Sequence, residues 1–197
     1  MVKTQGKRQL QKEATREHII RTAMAVYTAE GFSAPTITIA RKAGVAHGTI
    51  FVHFPTREDL LLHALERFID DMGKKLHCLS AANGTIEALL RAHIGIIGEN
   101  EKLYRNLIMD ASSLPLDIKN ELVALNSVTA RHFEVAVQRD IQDGKVKEQP
   151  IHILYNAWIG LVHYYLQNSE LFAPGGKSVI KQYKGELVSG FMKLISK

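Results

Sequence analysis

The chain has a single cysteine, Cys78, which rules out an internal disulfide framework and a zinc site built on several thiolates. His77 beside it has no further ligands at metal spacing, so Cys78 is expected to be a half-buried structural residue and no metal is implied. Long apolar runs are also missing. The longest, Ile151 to Leu166, is broken by Asn156 and His163 and falls short of the roughly 20 residues that span a bilayer. No apolar stretch follows the basic N-terminal residues, so a secretory signal is not expected, no membrane partner is implied, and the cytoplasm is the default compartment. Catalytic constellations are absent too. The nine histidines are scattered and none forms H-E-x-x-H, while Gly44 to Gly48 lacks the Gly-Lys-Ser/Thr ending of a phosphate cradle. Without a nucleophile beside a base or paired carboxylates, no enzyme and no cofactor is expected.

What is present is an uneven division of charge. Residues 1–57 carry nine Lys or Arg against Glu13, Glu17 and Glu30, whereas residues 58–197 carry sixteen against seventeen acids. The whole net charge of +5 therefore belongs to the first segment. Neutralising phosphates releases counterions and supplies most non-specific DNA affinity, so this is the footprint a nucleic-acid surface requires. A solubilising basic tail is the plainer explanation of charge taken alone.

Apolar spacing is helical throughout, with no strand pattern and no internal repeat. Ile19, Ile20, Ala23, Val26 and Tyr27 mark a first helix from Gln9 to Glu30, stopped by Gly31 and preceded by a basic arm, residues 1–8, expected to be disordered without DNA. Further on, Thr56 caps a long helix with Glu58 and Asp59 in its first turn and Leu60, Leu61, Ala64, Leu65, Phe68, Ile69 and Met72 on its apolar side. A break at Asn83-Gly84 is followed by helices over 85–97, about 101–109, 112–141, 150–168 and 177–196. The architecture expected is all-α with about nine helices.

The most informative stretch is TITIARKAGVAHGTIFVHFPTREDLLL at residues 36–62, where two short helices flank a Gly44-Val45 turn. Thr36 can cap the first, Ile37 and Ala40 give it an apolar side, and Gly44 suits its left-handed stop. Ala40, Ala43 and Gly44 permit a close crossing, and Val45, Ile50 and Phe54 fix its angle. His47, Gly48, Thr49, Val52 and His53 remain for solvent or for a groove. This string resembles the DNA-binding signature of the tetracycline-repressor (TetR) family of bacterial transcription regulators. Thr36, Ile39, Ala40, Ala43, Gly44, Val45, Gly48, Thr49, Ile50, Phe51, His53, Phe54, Thr56, Arg57, Glu58, Leu60 and Leu61 all stand in the family's register. Strong similarity covers about residues 13–66, a third of the chain. Three positions depart from the pattern. Ala46 replaces the usual Ser, a lost cap that typically costs about 1 kcal/mol and leaves the second helix expected to fray until DNA orders it. His47 and Phe51 stand where Lys and Tyr are frequent, which shifts backbone affinity toward Arg41, Lys42, Arg57 and the arm.

The resemblance implies a homodimeric regulator with a double-stranded operator and a small-molecule effector as partners, divided into a DNA-binding domain over 1–55 and a ligand-binding and dimerisation domain over 56–197. Its register assigns Thr36, Thr38, Arg41, Lys42, His47, Gly48, Thr49, Val52, His53 and Arg57 to DNA, with His53 and Arg57 on phosphate. Pocket candidates are the large or polarisable residues Phe68, Met72, His93, Tyr104, Met109, His132, Phe133, Trp158 and Tyr164. The Ile151–Leu166 helix is apolar nearly all round and is expected to be buried on several sides. By resemblance it and the last helix form a four-helix seam between subunits through Leu154, Leu161, Tyr165, Tyr183, Leu187, Phe191 and Leu194, with Gly160 and Gly190 allowing close approach. The function implied is a repressor released from a palindromic operator by a small hydrophobic or amphipathic molecule. A helical ligand carrier or enzyme with a degenerate head, and an architectural DNA protein, are the other readings.

Overall fold

The computed structural model describes the backbone of residues 2–80 and 84–197 and the side chains of residues 6–78 and 84–197. Its helices are α1 (Val2–Glu30), α2 (Thr36–Ala43), α3 (His47–His53), α4 (Arg57–Ser80), α5 (Ile86–Glu99), α6 (Glu101–Met109), α7 (Leu116–Gln142), α8 (Ile151–Gln167), α9 (Ser169–Phe172) and α10 (Val179–Ile195), with a 3-10 turn at Ala111–Ser113. The chain is all-α. Nine of these ten helices have seven residues or more, and the single turn of α9 is too short to show a period. Among the described residues, extended pairing is limited to one bridge between Val146 and Ser196. Asn83, taken as part of a break, lies outside the described residues, while Gly84 is non-helical.

Helix α1 begins at Val2, so residues 2–8 continue the helix and do not form the disordered arm expected. The stretch lacks proline, and its Lys, Gln and Arg are good helix formers. Ile19, Ile20, Ala23, Val26 and Tyr27 pack with Ile39, Ala40, Ile50 and Phe54. Gly44 ends α2 at φ 66°, the left-handed conformation its position demands. Pro35, not Thr36, occupies the cap position of α2. Ile37 is 53% exposed, because two residues along a helix turn about 200° and Ile39 already faces the core.

Thr56 and Asp59 form a reciprocal cap at the start of α4, each side chain accepting the other's backbone N–H at 3.0 Å. All seven apolar residues assigned to α4 are buried. They carry the head's core past residue 55 to Leu103 and Leu107 of α6 and Ile118 of α7, so packing is continuous across the sequence-based boundary. A second core lies between α5, α7, α8 and α10 around Phe133, Trp158 and Phe191. Buried Asp140 accepts the Ile86 N–H at 2.9 Å, and Glu101 accepts from Val179 N at 2.8 Å, which ties down the starts of α5 and α10.

The outer side of α8 is not enclosed by its own chain. Ile153 and Tyr164 are 56% and 55% exposed, and Ala157 and Gly160 between them are exposed as well. Conversely, Leu154, Leu187 and Phe191, assigned to a subunit seam, are buried in this chain's core, with Phe191 edge-on to Trp158 at 5.4 Å. Leu161, Tyr165 and Tyr183 are half-buried; Tyr165 stacks on Phe172, and the Tyr183 hydroxyl bonds the Phe172 carbonyl. Of the seven only Leu194 is well exposed. Periodicity identified the apolar stripe, and that stripe was needed for the chain's own core. Cys78 is exposed, not half-buried.

Helices α5 and α10 approach most tightly at Gly98, where a Cβ would lie 2.8 Å from Ile180 Cγ2. Ile180 is buried and branched at Cβ, which holds that methyl in one preferred rotamer, so it cannot swing aside. Gly98→Val should lower stability by about 2 kcal/mol through overpacking, seen as a lower urea midpoint at unchanged slope. Gly95→Val, where no atom lies within 4 Å, should leave the midpoint nearly unmoved.

Candidate nucleic-acid interface and internal cavity

Helix α3 is formed although Ala46 supplies no side-chain cap. His47 replaces it. Its Nε2 lies 2.9 Å from Thr36 Oγ1, pinning the first residue of α3 to the first of α2, and its ring stands edge-on to Phe51 at 5.2 Å. The expected fraying is thereby opposed by a bond between the two helices. Across the outer face, His47, Gly48, Phe51 and Val52 are exposed, Val52 at 71%, while Thr36, Thr38 and Thr49 are half-exposed. Gly48 has no atom within 4 Å of where a Cβ would sit, which leaves its backbone open to close approach. Arg41 is exposed, and Lys42 is exposed while paired with Glu30 at 2.7 Å.

Two residues assigned to phosphate are placed otherwise. The Arg57 guanidinium donates to the Phe32 carbonyl and lies 3.5 Å from Glu58, so it fastens the loop after α1 to the start of α4. His53 is half-buried with Nδ1 unpartnered; burial, then Lys12 and Arg16, hold its pKa below the ordinary value, so it brings no charge. The same two cations mark what the sequence did not single out. Lys12 and Arg16 of α1 stand beside the end of α3, with Arg16 over the Phe54 ring at 4.9 Å. Exposed Ile37 and Phe51 are further apolar contacts on the head that periodicity had turned inward or passed over.

An exposed short helix, held at a fixed angle by a glycine turn beside basic side chains, is the geometry of a helix-turn-helix reader. Residues 19–64 match the family described as bacterial regulatory proteins, tetR family. The chain belongs to the TetR family of DNA-binding transcriptional regulators. The match covers α1 from Ile19, the whole reading pair and the first turns of α4. This TetR-family regulator is 22% identical over 143 residues to the fatty acid metabolism regulator protein of Bacillus subtilis, covering 70% of this chain and 74% of that one. It is 26% identical over 151 residues to the HTH-type transcriptional repressor KstR of Mycolicibacterium smegmatis, covering 74% and 73%. The crystal structure of the regulator FadR from Bacillus subtilis in complex with stearoyl-CoA superposes with a TM-score of 0.69 at 16% identity, covering 89% of this chain and 97% of that one. At that identity the superposition speaks for the fold. No helix among the described residues is long and apolar enough to cross a membrane.

In the body of the regulator, a cavity of about 190 Å³ is walled by Met72 and Leu76 of α4, His93 of α5, Tyr104, Leu107 and Ile108 of α6, Ala111, Leu122, Leu125, Asn126 and Thr129 up to and along α7, and Tyr155, Ile159 and His163 of α8. Ala111 and Asn126 are exposed and mark its opening. Of the nine pocket candidates, Met72, His93 and Tyr104 line it. Phe133 and Trp158 are core, Met109 and Tyr164 are more than half exposed, and His132 faces His77 at 6.1 Å between ring centres. Phe68 borders another cleft, on the far side of Met72, which lines both. The missed wall of Tyr155, Ile159 and His163 recurs every four residues, a helical face that size-based selection overlooked. Burial keeps the His93 imidazole far below its usual range, at about 4, and depresses His163; it raises the Tyr104 phenol and lifts Tyr155 to about 12. Every wall group is therefore neutral near pH 7.

The readout face has a direct test. Thr49→Ala or Val52→Ala should change the sequence chosen from a random duplex pool, at about 1 to 3 kcal/mol for a base-reading side chain, with the fold intact by circular dichroism. Arg57→Ala should act chiefly on the thermal stability of the chain, since its bond partner is Phe32.

The depressed histidine has a sign in solution. Between pH 6.5 and about 4 the unfolded chain takes up a proton that folded His93 refuses, so stability present above pH 6.5 is lost as pH falls. At pH 5 that loss is about 2 kcal/mol from this residue. His93→Leu should flatten the urea midpoint between pH 7 and 5; an unchanged dependence would place the titration elsewhere.

Proposed function

We propose that this TetR-family regulator is a homodimeric repressor whose heads, residues 1–55, grip a palindromic operator until a small hydrophobic or amphipathic effector enters the body, residues 56–197. In this reading α3 lies in the major groove with His47, Thr49 and Val52 nearest the bases. Arg41, Lys42, Lys12 and Arg16 meet the phosphates. The observation that carries the reading is that two cavity walls are also the elements that hold the head. Met72 and Leu76 lie on α4, which starts directly after α3. Tyr104, Leu107 and Ile108 lie on α6, whose Asn106 Nδ2 donates to the Tyr27 carbonyl at 2.8 Å and whose Asp110 accepts the Phe32 N–H at 3.3 Å. A ligand that spreads these walls shifts the heads through both, and it can do so only by its different affinity for the two head spacings. That the similar KstR of Mycolicibacterium smegmatis is a transcriptional repressor supports repression as the direction.

The uncovered side of α8, with Ile153, Ala157, Gly160 and Tyr164, together with Gly190 and Leu194 of α10, is the proposed subunit seam. Gly160 and Gly190 have open space around them, which supports close approach of a second copy. Selection from a random duplex pool should return a palindrome whose half-sites lie about 34 Å apart or a multiple of it. Ala157→Glu, on the exposed side, should sediment as a folded monomer and lose operator affinity, because the seam would bury an unpaired carboxylate. A non-palindromic selected site, or an Ala157→Glu dimer of full affinity, would sink the arrangement.

A further inference from the structure

We propose that the cavity takes a small neutral molecule of about ten non-hydrogen atoms, with an aryl or compact aliphatic body and one oxygen acceptor, such as an aryl ketone or aldehyde. This rests on the sensor reading above and names its ligand class. Size is the first argument. An apolar cavity of about 150 Å³ holds benzene. At about 190 Å³ this one has room for a ring and a few further atoms, and none for a long acyl chain. Charge is the second. No Lys, Arg, Asp or Glu lines the cavity, and its two imidazoles are kept neutral by burial. A carboxylate or an ammonium would arrive unpaired and bear its full desolvation cost.

The third argument is a donor left over. The indole N–H of Trp158 donates to His93 Nδ1 at 3.2 Å, which puts the proton of the neutral ring on Nε2. His93 is 6% exposed, and no hydrogen bond among the described residues takes up that second N–H. Three other polar side chains of the wall are engaged: Tyr104 with His163 Nε2 at 3.0 Å, Tyr155 with Asn126 Oδ1 at 2.6 Å, and Thr129 with the Leu125 carbonyl at 2.9 Å; His163 is only half-buried, which leaves His93 the more enclosed of the two imidazoles. Because His93 lines the cavity, an entering oxygen that accepts from this N–H adds a hydrogen bond that an equally sized hydrocarbon cannot make.

Trp158 is the one tryptophan of the chain and is bonded to His93, so its emission reports on the site. Full-length protein is titrated with acetophenone, ethylbenzene, benzoate and palmitate. Acetophenone should bind saturably and about tenfold more tightly than ethylbenzene. Benzoate and palmitate should show no saturable change. In His93→Leu the preference for acetophenone should fall to near one while ethylbenzene still binds. An unchanged preference in that variant, or binding of palmitate or benzoate ahead of acetophenone, would overturn the proposal. If His93→Leu does not fold, Ile159→Phe fills the cavity and keeps the imidazole; it should abolish both neutral ligands, and retained binding again overturns the assignment. Operator affinity with acetophenone is read separately on the selected duplex. Binding without loss of operator affinity refutes the sensor reading and supports the ligand class; no binding refutes the class alone.

Discussion

Helix α4 carries one unbroken apolar face from the reading pair to the cavity, and the arrangement of the molecule depends on it. Leu60, Leu61, Ala64 and Leu65 close the head against α1, and Phe68, Ile69, Met72 and Leu76 continue the same face into the body. Each large side chain so buried is worth about 1.5 to 3 kcal/mol relative to exposure. A face buried in one continuous core that α1, α6 and α7 share does not let the head drift freely. Its rigidity is what makes a displacement near Met72 felt at Thr56, because close-packed interiors transmit strain and resist voids.

A second attachment modifies that picture. The end of α1 and the loop after it are also bonded from the side: Asn106 of α6 donates to the Tyr27 and Thr28 carbonyls, the first of which accepts from Gly31 N as well, and Asp110, just past α6, accepts the Phe32 N–H. Arg57 adds a bond to the Phe32 carbonyl from the start of α4. The head is therefore held at both ends of its core, by apolar burial along α4 and by directional bonds from α6. Hydrogen bonds break over a few tenths of an ångström, whereas apolar contact yields gradually. The α6 bonds are thus the sharper of the two responses to movement of the cavity wall.

The histidines divide by surroundings, not by sequence context. His47 is exposed and bonded to Thr36, whereas His93 is enclosed and bonded to Trp158. The first ties two short helices together on the surface; the second lines a cavity whose wall groups are neutral. Nothing in the neighbouring letters separates them, since burial arises from helices far away in the chain.

Helix positions, the Gly44 turn, the Thr56 cap and the family of the head were legible in the sequence, because each rests on local spacing: a 3.6-residue period, a glycine where φ must be positive, an acid three residues after a threonine. Charge asymmetry was equally visible, being a matter of counting. Tertiary structure alone decided which side of an apolar helix meets its own core. Leu154, Leu187 and Phe191 turned inward and left Ile153, Ala157, Gly160 and Tyr164 outside, although both sets repeat at helical spacing. It also diverted Arg57 to a carbonyl 25 residues earlier and gathered Met72, His93, Tyr104, Tyr155 and His163 around one cavity. Periodicity states that a face is apolar. Which neighbour covers it is settled by the angles at which distant helices pack, and those angles are set by contacts such as Gly98 against Ile180 that involve residues far apart in the chain.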